Sequence, residues 1–340
     1  MKKFDYVVFI GRFQPFHNGH LEVCKQALKY GNKLIIITGS GNSSPSIRNP
    51  FTAFQRQQMI TNALSENHFD PDTYVIDKVR DYFYSEDAWR MDVQRTVNDL
   101  TQGLEPKIAI VGHKKDFTSS YLNWFPNWEL IEVETNIVLN ATQIRKDYFE
   151  GKEITTETCS RLTILWLNAT KELYYYRNLK EEYDAMKFYK EQWAFAPYPP
   201  IFVTTDAVVT CGGNILLVKR KAHPGKGLLA LPGGFINPEE TLLECCLREL
   251  KEETKIKVPK PVLKGSIQGK AVFDHPLRSV RGRTISHAFY IPLMDTILPK
   301  VKGGDDANGA FWVPLEDLEM ENMFEDHGII IESFIGRGLV

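Results

Sequence analysis

In the N-terminal half of the chain, short apolar runs alternate with amphipathic stretches. Strand-like runs stand at 6–10, 33–38, 73–76 and 107–111, and helical patterns at 19–30, 52–64 and 87–100. Strands that are apolar almost throughout and are separated by helices belong to a parallel sheet covered on both faces. The expected fold here is α/β, with a doubly wound parallel sheet.

The pattern changes between 161 and 192 to a polar, aromatic-rich helical stretch that contains Tyr174, Tyr175 and Tyr176 and a run of Lys and Glu. Ala196-Pro197-Tyr198-Pro199-Pro200 then breaks any helix, because proline lacks a backbone donor and restricts the residue before it. Farther on, strand patterns at 202–209, 215–219, 264–269, 284–292 and 310–313 surround one strong helix at 238–254. That is an α+β arrangement with a mixed sheet. The 340 residues therefore divide into a first domain at 1–160, a helical connector and Pro-rich linker at 161–200, and a second domain at 201–340.

Charge narrows the partners. Lysine plus arginine number 41 and aspartate plus glutamate 43, so no overall positive field recruits nucleic acid or an acidic membrane, and an anionic substrate must be held by local groups. No apolar stretch approaches the ~20 residues that cross a bilayer. The opening residues run straight into a glycine-rich turn and read as a first strand, not a signal peptide. The five cysteines, Cys24, Cys159, Cys211, Cys245 and Cys246, show no Cys-x-x-Cys spacing, which points away from a disulfide framework or zinc site and toward a reducing cytoplasm. A homo-oligomer stays open.

The first strand leads into Gly11-Arg12-Phe13-Gln14-Pro15-Phe16-His17-Asn18-Gly19-His20, which opens a helix. In a doubly wound sheet this is where phosphates bind, since free backbone N–H groups and the helix dipole face the anion. Two histidines three residues apart can face one ligand and stabilise charge on a transferring phosphoryl oxygen, although the spacing alone also suits ordinary surface histidines. The decapeptide resembles the first signature of the HxGH nucleotidyltransferase superfamily. Asn49-Pro50-Phe51-Thr52-Ala53-Phe54-Gln55-Arg56, Val111-Gly112-His113-Lys114-Lys115-Asp116 and Asn140-Ala141-Thr142-Gln143-Ile144-Arg145 add a resemblance to archaeal-type nicotinamide mononucleotide adenylyltransferases. Asn140 and Ala141 replace small hydroxyl residues more usual in the last block. The resemblance implies a Rossmann-like fold, with ATP held by Gly11, Arg12, Phe13, His17, His20, Gly112, Thr142 and Arg145. Catalysis would fall to His17, His20 and Arg145, and Mg²⁺ would accompany ATP. Asp81, Tyr84 and Trp89 resemble the family's base-binding stretch and would take nicotinamide mononucleotide; an indole can stack on a cationic pyridinium ring, and a carboxylate can offset its charge. The plain alternative for Trp89 is the core.

The second half carries the strongest signal. On a helix, Leu243, Leu247 and Leu250 make an apolar stripe, while Glu249, Glu252 and Glu253 fall at i, i+3 and i+4 on another side. Like charges at that spacing cost a bare helix a few tenths of a kcal/mol, roughly, so a cation should compensate them; a solvated acidic face is the bland alternative. The full spacing, Gly234, five residues, Glu240, seven residues, then Arg248-Glu249-Leu250-Lys251-Glu252-Glu253, resembles the Nudix box. The resemblance implies Mg²⁺ or Mn²⁺ on Gly234, Glu249, Glu252 and Glu253, with Glu252 also catalytic, Glu240 in support and Arg248 orienting a glutamate. Lys255 stands where the family has glycine, at the helix C-terminus, where glycine favours the left-handed conformation. Leu231-Pro232-Gly233-Gly234-Phe235 and Arg281-Gly282-Arg283 look like ADP-ribose pyrophosphatases and their relatives, with Arg281 and Arg283 on ADP-ribose; an exposed strand-end pair is the alternative.

The expectation is a two-domain enzyme that joins ATP and nicotinamide mononucleotide into NAD and cleaves ADP-ribose to AMP and ribose 5-phosphate. Two other readings are carried beside it: adenylyl or cytidylyl transfer to another phosphate ester, and a C-terminal domain that senses ADP-ribose without cutting it.

Overall fold

The structure, a computed structural model, describes residues 2–102, 105–112, 121–133, 139–303 and 307–336. The chain forms two compact units, Met1–Lys180 and Glu181–Val340.

The first unit contains β1 (Phe4–Gly11), α1 (Asn18–Tyr30), β2 (Gly31–Thr38), α2 (Ala53–Glu66), β3 (Tyr74–Lys78), α3 (Glu86–Leu100), β4 (Ile108–Gly112), β5 (Glu129–Glu132), α4 (Ala141–Phe149) and α5 (Arg161–Thr170). The division between the units falls within α6 (Tyr174–Glu191). The five strands are all parallel in the order β3-β2-β1-β4-β5. Val8, Ile10, Ile35, Ile37 and Ile110 are buried against Val93 and Val97 of α3 and against Phe125, which explains their apolar character. The chain reverses direction across the sheet between β1 and β4, and such a switch point leaves a crevice at the carboxyl ends of the strands, here at Gly11 and Gly112.

The second unit holds β6 (Ile201–Cys211), β7 (Asn214–Arg220), β8 (Leu229–Ala230), β9 (Gly233–Phe235), α7 (Leu242–Thr254), α8 (Lys260–Gly265), β10 (Gly269–Phe273), β11 (Arg283–Leu293), β12 (Ala307–Pro314) and α9 (His327–Ile335). Its seven-stranded sheet runs β10-β11-β6-β7-β12, with β8 on β7 and β9 on β6; β11 and β6 are parallel and the other pairs antiparallel. The mixed character expected from the sequence is present.

Several local expectations are corrected. The strand expected at 264–269 is not there: Pro259 caps α8, which buries Leu263, and the strand begins at Gly269. The helix expected from 238 starts at Leu242, because Thr241 and Glu244 form a capping box in which each satisfies the other's backbone N–H. The helical stretch at 161–192 is two helices, separated at 171–173. Neither α4, α9 nor the short β5 was foreseen. All five cysteines are buried and unpaired. Among the described residues no helix is long and apolar enough to cross a membrane.

Lys255 closes α7 in the left-handed conformation, φ 48° and ψ 28°, with its N–H on the Lys251 carbonyl. A side chain there costs about 1 kcal/mol relative to glycine. Lys255→Gly should therefore raise unfolding stability by about 0.5–1 kcal/mol in a urea titration. A lower midpoint at unchanged slope would show that the lysine makes a compensating contact.

Candidate functional site

In the first unit, β1 ends at Gly11 and the chain turns through Arg12 to Phe16 before His17 caps α1. His17 and His20 lie one turn apart with their rings stacked, centroids 3.6 Å apart, and the His17 N–H donates to His20 Nδ1 at 3.2 Å. Phe13 and Phe16 pack on His20 at 4.9 and 5.4 Å. Gly11 lacks a side chain for a steric reason: a Cβ there would stand 2.7 Å from the Phe13 ring.

The Asn140–Arg145 block reaches the same place from far along the chain. Asn140 caps α4, its Oδ1 accepting from the Thr142 N–H at 2.9 Å, so it does the capping that a hydroxyl residue would do. Arg145, 8% exposed, donates to the Gln14 carbonyl at 2.6 Å and to Thr142 Oγ1 at 3.0 Å. Burial pulls its pKa down to about 10, and the positive charges of Arg12 and Arg48 push the same way. The charges of Arg12 and Arg48 thus act on Arg145 near the N-termini of α1 and α4, an electrostatic setting that suits a polyphosphate.

Two residues without an assigned role from sequence build this loop. Gln14 pairs with Phe51 through both of its side-chain polar atoms, at 2.8 and 3.0 Å. Arg56, fully buried, donates to the carbonyls of Thr52, Arg12, Gly39 and Ser40. Gly112 lies at the end of β4, while His113, Lys114, Lys115 and Asp116 lie outside the described residues. Asp81 accepts from Ser43 at 3.3 Å. Tyr84 packs edge-on to Phe83, and half-buried Trp89 packs edge-on to Tyr121 and Trp124, both at 5.8 Å, as part of the core cluster.

In the second unit, Cys246, Leu247 and Leu250 bury one face of α7, and Glu249 and Glu253 lie against β9. Arg248 binds Glu240 through two nitrogens, at 2.9 and 2.5 Å, and reaches Glu249 at 2.7 Å and Glu252 at 3.0 Å. Its bonds hold Glu240 down at about 2. Glu253 behaves differently. Burial raises its pKa to about 7 against the opposing bond from the Gly233 N–H, and the charge of Glu249 adds to the rise. Burial likewise raises Glu249. A Cβ on Gly234 would stand 2.5 Å from the Glu249 carboxyl carbon, so only glycine lets that carboxylate lie against the β9 backbone.

This is a donor set of oxygens crowded by like charge, the chemistry that suits a hard divalent cation. Among the described residues, no three His, Cys, Asp or Glu side chains converge as a ready-made metal cluster; Glu249 and Glu252 both turn to Arg248. Arg281 lies over the rings of Phe235 and Phe324, at 5.7 and 5.6 Å, while Arg283 binds the Asp274 carbonyl and carboxylate.

Sequence reasoning missed the support behind these groups. Asp206 of β6 is buried, its pKa raised by desolvation, and it accepts from Ser286 and faces His327 Nε2 at 3.9 Å. Arg220 lies 3.9 Å over the Phe324 ring. An acid inside the apolar run of β6 was the available signal for Asp206.

Two tests follow from the geometry. Arg56→Met leaves carbonyls at Arg12, Gly39 and Ser40 without their donor and should cost about 3 kcal/mol in a urea titration; a loss under about 1 kcal/mol would mean that water replaces the guanidinium. His327 accepts the Leu231 N–H on Nδ1, and burial lowers its pKa from 6.5 to about 3. The unfolded chain takes up this proton first, so stability is present above about 6.5 and is lost as the pH falls toward 3. The slope is at most about 1.4 kcal/mol per unit. His327→Asn should flatten that slope between pH 6.5 and 4.5, and an unchanged slope would assign it to other groups.

Residues 8–156 match the cytidylyltransferase-like family and residues 201–334 the NUDIX domain. Over 192 residues the chain is 35% identical to the nicotinamide/nicotinic acid mononucleotide adenylyltransferase of Acinetobacter baylyi, covering 54% of this chain and 96% of that one. Over 133 residues it is 39% identical to the ADP-ribose pyrophosphatase of Methanocaldococcus jannaschii, covering 39% of this chain and 72% of the relative. The crystal structure of a bifunctional NMN adenylyltransferase/ADP ribose pyrophosphatase from Francisella tularensis superposes with a TM-score of 0.95 at 40% identity, covering 98% of this chain and 99% of that one. The same bifunctional protein complexed with AMP and a manganese ion gives 0.94 at 39% identity, again over 98% and 99%. The similarity spans both halves of the chain, and the chain belongs to the family of bifunctional NMN adenylyltransferase/ADP ribose pyrophosphatases.

Proposed function

We propose that the first unit transfers the adenylyl group of ATP to nicotinamide mononucleotide and that the second hydrolyses ADP-ribose to AMP and ribose 5-phosphate. The observation that carries the pairing is the full-length similarity to a bifunctional relative, supported by the meeting of Arg145 with the His17 and His20 loop and by the glutamates on α7.

In the transfer, a 5′-phosphate oxygen of the mononucleotide forms a bond to the α-phosphorus of ATP. The bond from that phosphorus to the bridging oxygen breaks, and pyrophosphate leaves with the electron pair. The protein positions the reactants and offsets charge. His17 and His20 serve the phosphates, Arg145 and Arg12 take the β and γ end, and Gly11, Phe13, Gly112 and Thr142 line the ATP path. Asp81, Tyr84 and Trp89 would receive the nicotinamide side.

In the hydrolysis, water adds across the phosphoanhydride: its oxygen bonds to one phosphorus and the bridging oxygen leaves on the other phosphate. Glu249, Glu252, Glu253 and the Gly234 carbonyl would hold Mg²⁺ or Mn²⁺, which when bound supplies an activated water and neutralises the diphosphate. Arg248 keeps Glu249 and Glu252 aligned through its anchor on Glu240. Glu252, the most exposed of the three, is the proton carrier, and Arg281 and Arg283 take ADP-ribose.

His20→Ala should reduce NAD formation from ATP and nicotinamide mononucleotide at least a hundredfold, about 2.7 kcal/mol or more in the barrier, while AMP release from ADP-ribose stays within about twofold. Glu253→Gln should do the reverse under saturating Mn²⁺. Equal loss of both activities in either variant would overturn the assignment of separate sites.

A further inference from the structure

The histidine turn is gripped on both sides by the stretch 140–160. On the N-terminal side of His17, Arg145 of α4 donates to the Gln14 carbonyl at 2.6 Å. On the C-terminal side the grip falls on Asn18. Its backbone N–H donates to the Thr158 carbonyl at 2.8 Å, and its side-chain amide donates to the carbonyls of Thr156 at 2.8 Å and Glu157 at 3.0 Å. The Cys159 thiol reaches the Phe16 carbonyl at 3.7 Å. Both chain neighbours of His17 are thus tied to one short loop between α4 and α5.

The loop's own bonds explain why its carbonyls are available. The N–H groups of Thr158 and Cys159 and the Thr158 hydroxyl all converge on the Thr155 carbonyl, at 2.9, 3.2 and 2.7 Å. The turn closed in this way leaves the next three carbonyls for Asn18.

Asparagine suits them in kind. Asn18 is the first residue of α1, where a backbone N–H has no partner within the helix. Its side chain adds two donors on a short stem, where serine has one and an ionised aspartate none. Starting a helix asks only for acceptors for its N–H groups, so the two side-chain bonds go beyond that need. What they hold is the pair of histidines. The His17 and His20 rings are stacked 3.6 Å apart and linked from the His17 N–H to His20 Nδ1, so a backbone shift at 17 and 18 moves both rings relative to Arg145. The carbonyls at 156–158 lie at and beyond the end of the region matched by the cytidylyltransferase-like family, 8–156.

We propose that Asn18 is a positioning residue for adenylyl transfer, holding the histidine turn against the 155–159 loop so that His17 and His20 keep their placement relative to Arg145. The inference rests on the transferase reading of the first unit. Asn18 acts through the histidines and not on the substrate.

The test uses the full chain with Asn18→Ala, which removes both side-chain donors, and Asn18→Gln, which restores them on a longer stem. The two bonds are open to solvent and contribute little to stability, so both variants should fold. Asn18→Ala should lower kcat for NAD formation about ten- to a hundredfold with KM for ATP and for nicotinamide mononucleotide within about threefold, and Asn18→Gln should return kcat to within about threefold of the parent. If Asn18→Ala does not fold, Asn18→Ser, with one donor, carries the same comparison. Chain labelled with ¹³C in its histidines gives a readout without turnover: the ring signals assigned by their loss in His17→Ala and His20→Ala should shift in Asn18→Ala and return in Asn18→Gln. Unchanged kcat in Asn18→Ala, a loss that Asn18→Gln does not recover, or ring signals that stay in place would overturn the proposal. Ring shifts in Asn18→Ala, with no NAD formed by the parent, would uphold the clamp and refute the transferase reading instead.

Discussion

Arg145 is buried, pressed by two other arginines, and tied to a backbone carbonyl more than a hundred residues away in sequence. Glu253 is its counterpart in the second unit, a carboxylate raised to about 7 by burial and by a neighbouring carboxylate. In both places the fold keeps charge of one sign out of water without enough of the opposite sign beside it. Such crowding costs stability and persists only where the surrounding backbone over-determines it. Under the proposed function, the ligand that removes the cost would be a polyphosphate in the first case and a divalent cation in the second. Affinity for these ligands and the strain of the free site are therefore two views of one constraint.

The framework around each charge is built from residues whose hydrogen bonds run to the protein's own backbone and side chains. In the first unit Gln14 and Arg56 satisfy the carbonyls and amides of the loops between β1, β2 and α2, so the histidine turn keeps one shape. In the second, Arg248 binds three glutamates, and the buried bidentate pair of Arg278 and Asp326 stands behind the His327 and Asp206 contact. These groups are positioning residues, and their hydrogen bonds orient side chains that would otherwise repel one another.

Sequence alone determined the two sheet types, because apolar periodicity follows directly from which faces are buried, and it located the histidine turn and the α7 glutamates, because both are local spacings. Tertiary structure decided the rest. Arg56 and Gln14 read as ordinary polar residues until their partners, distant along the chain, come within hydrogen-bond reach. Asp206 reads as a polar interruption in an apolar strand until β11 and α9 bring Ser286 and His327 against it. The helix at 260–265 was mistaken for part of a strand because a short segment's pattern is too brief to show its period, and Pro259 and the burial of Leu263 settled it. Local pattern records which side of an element meets the core; which charges end up facing each other depends on contacts between elements far apart in sequence.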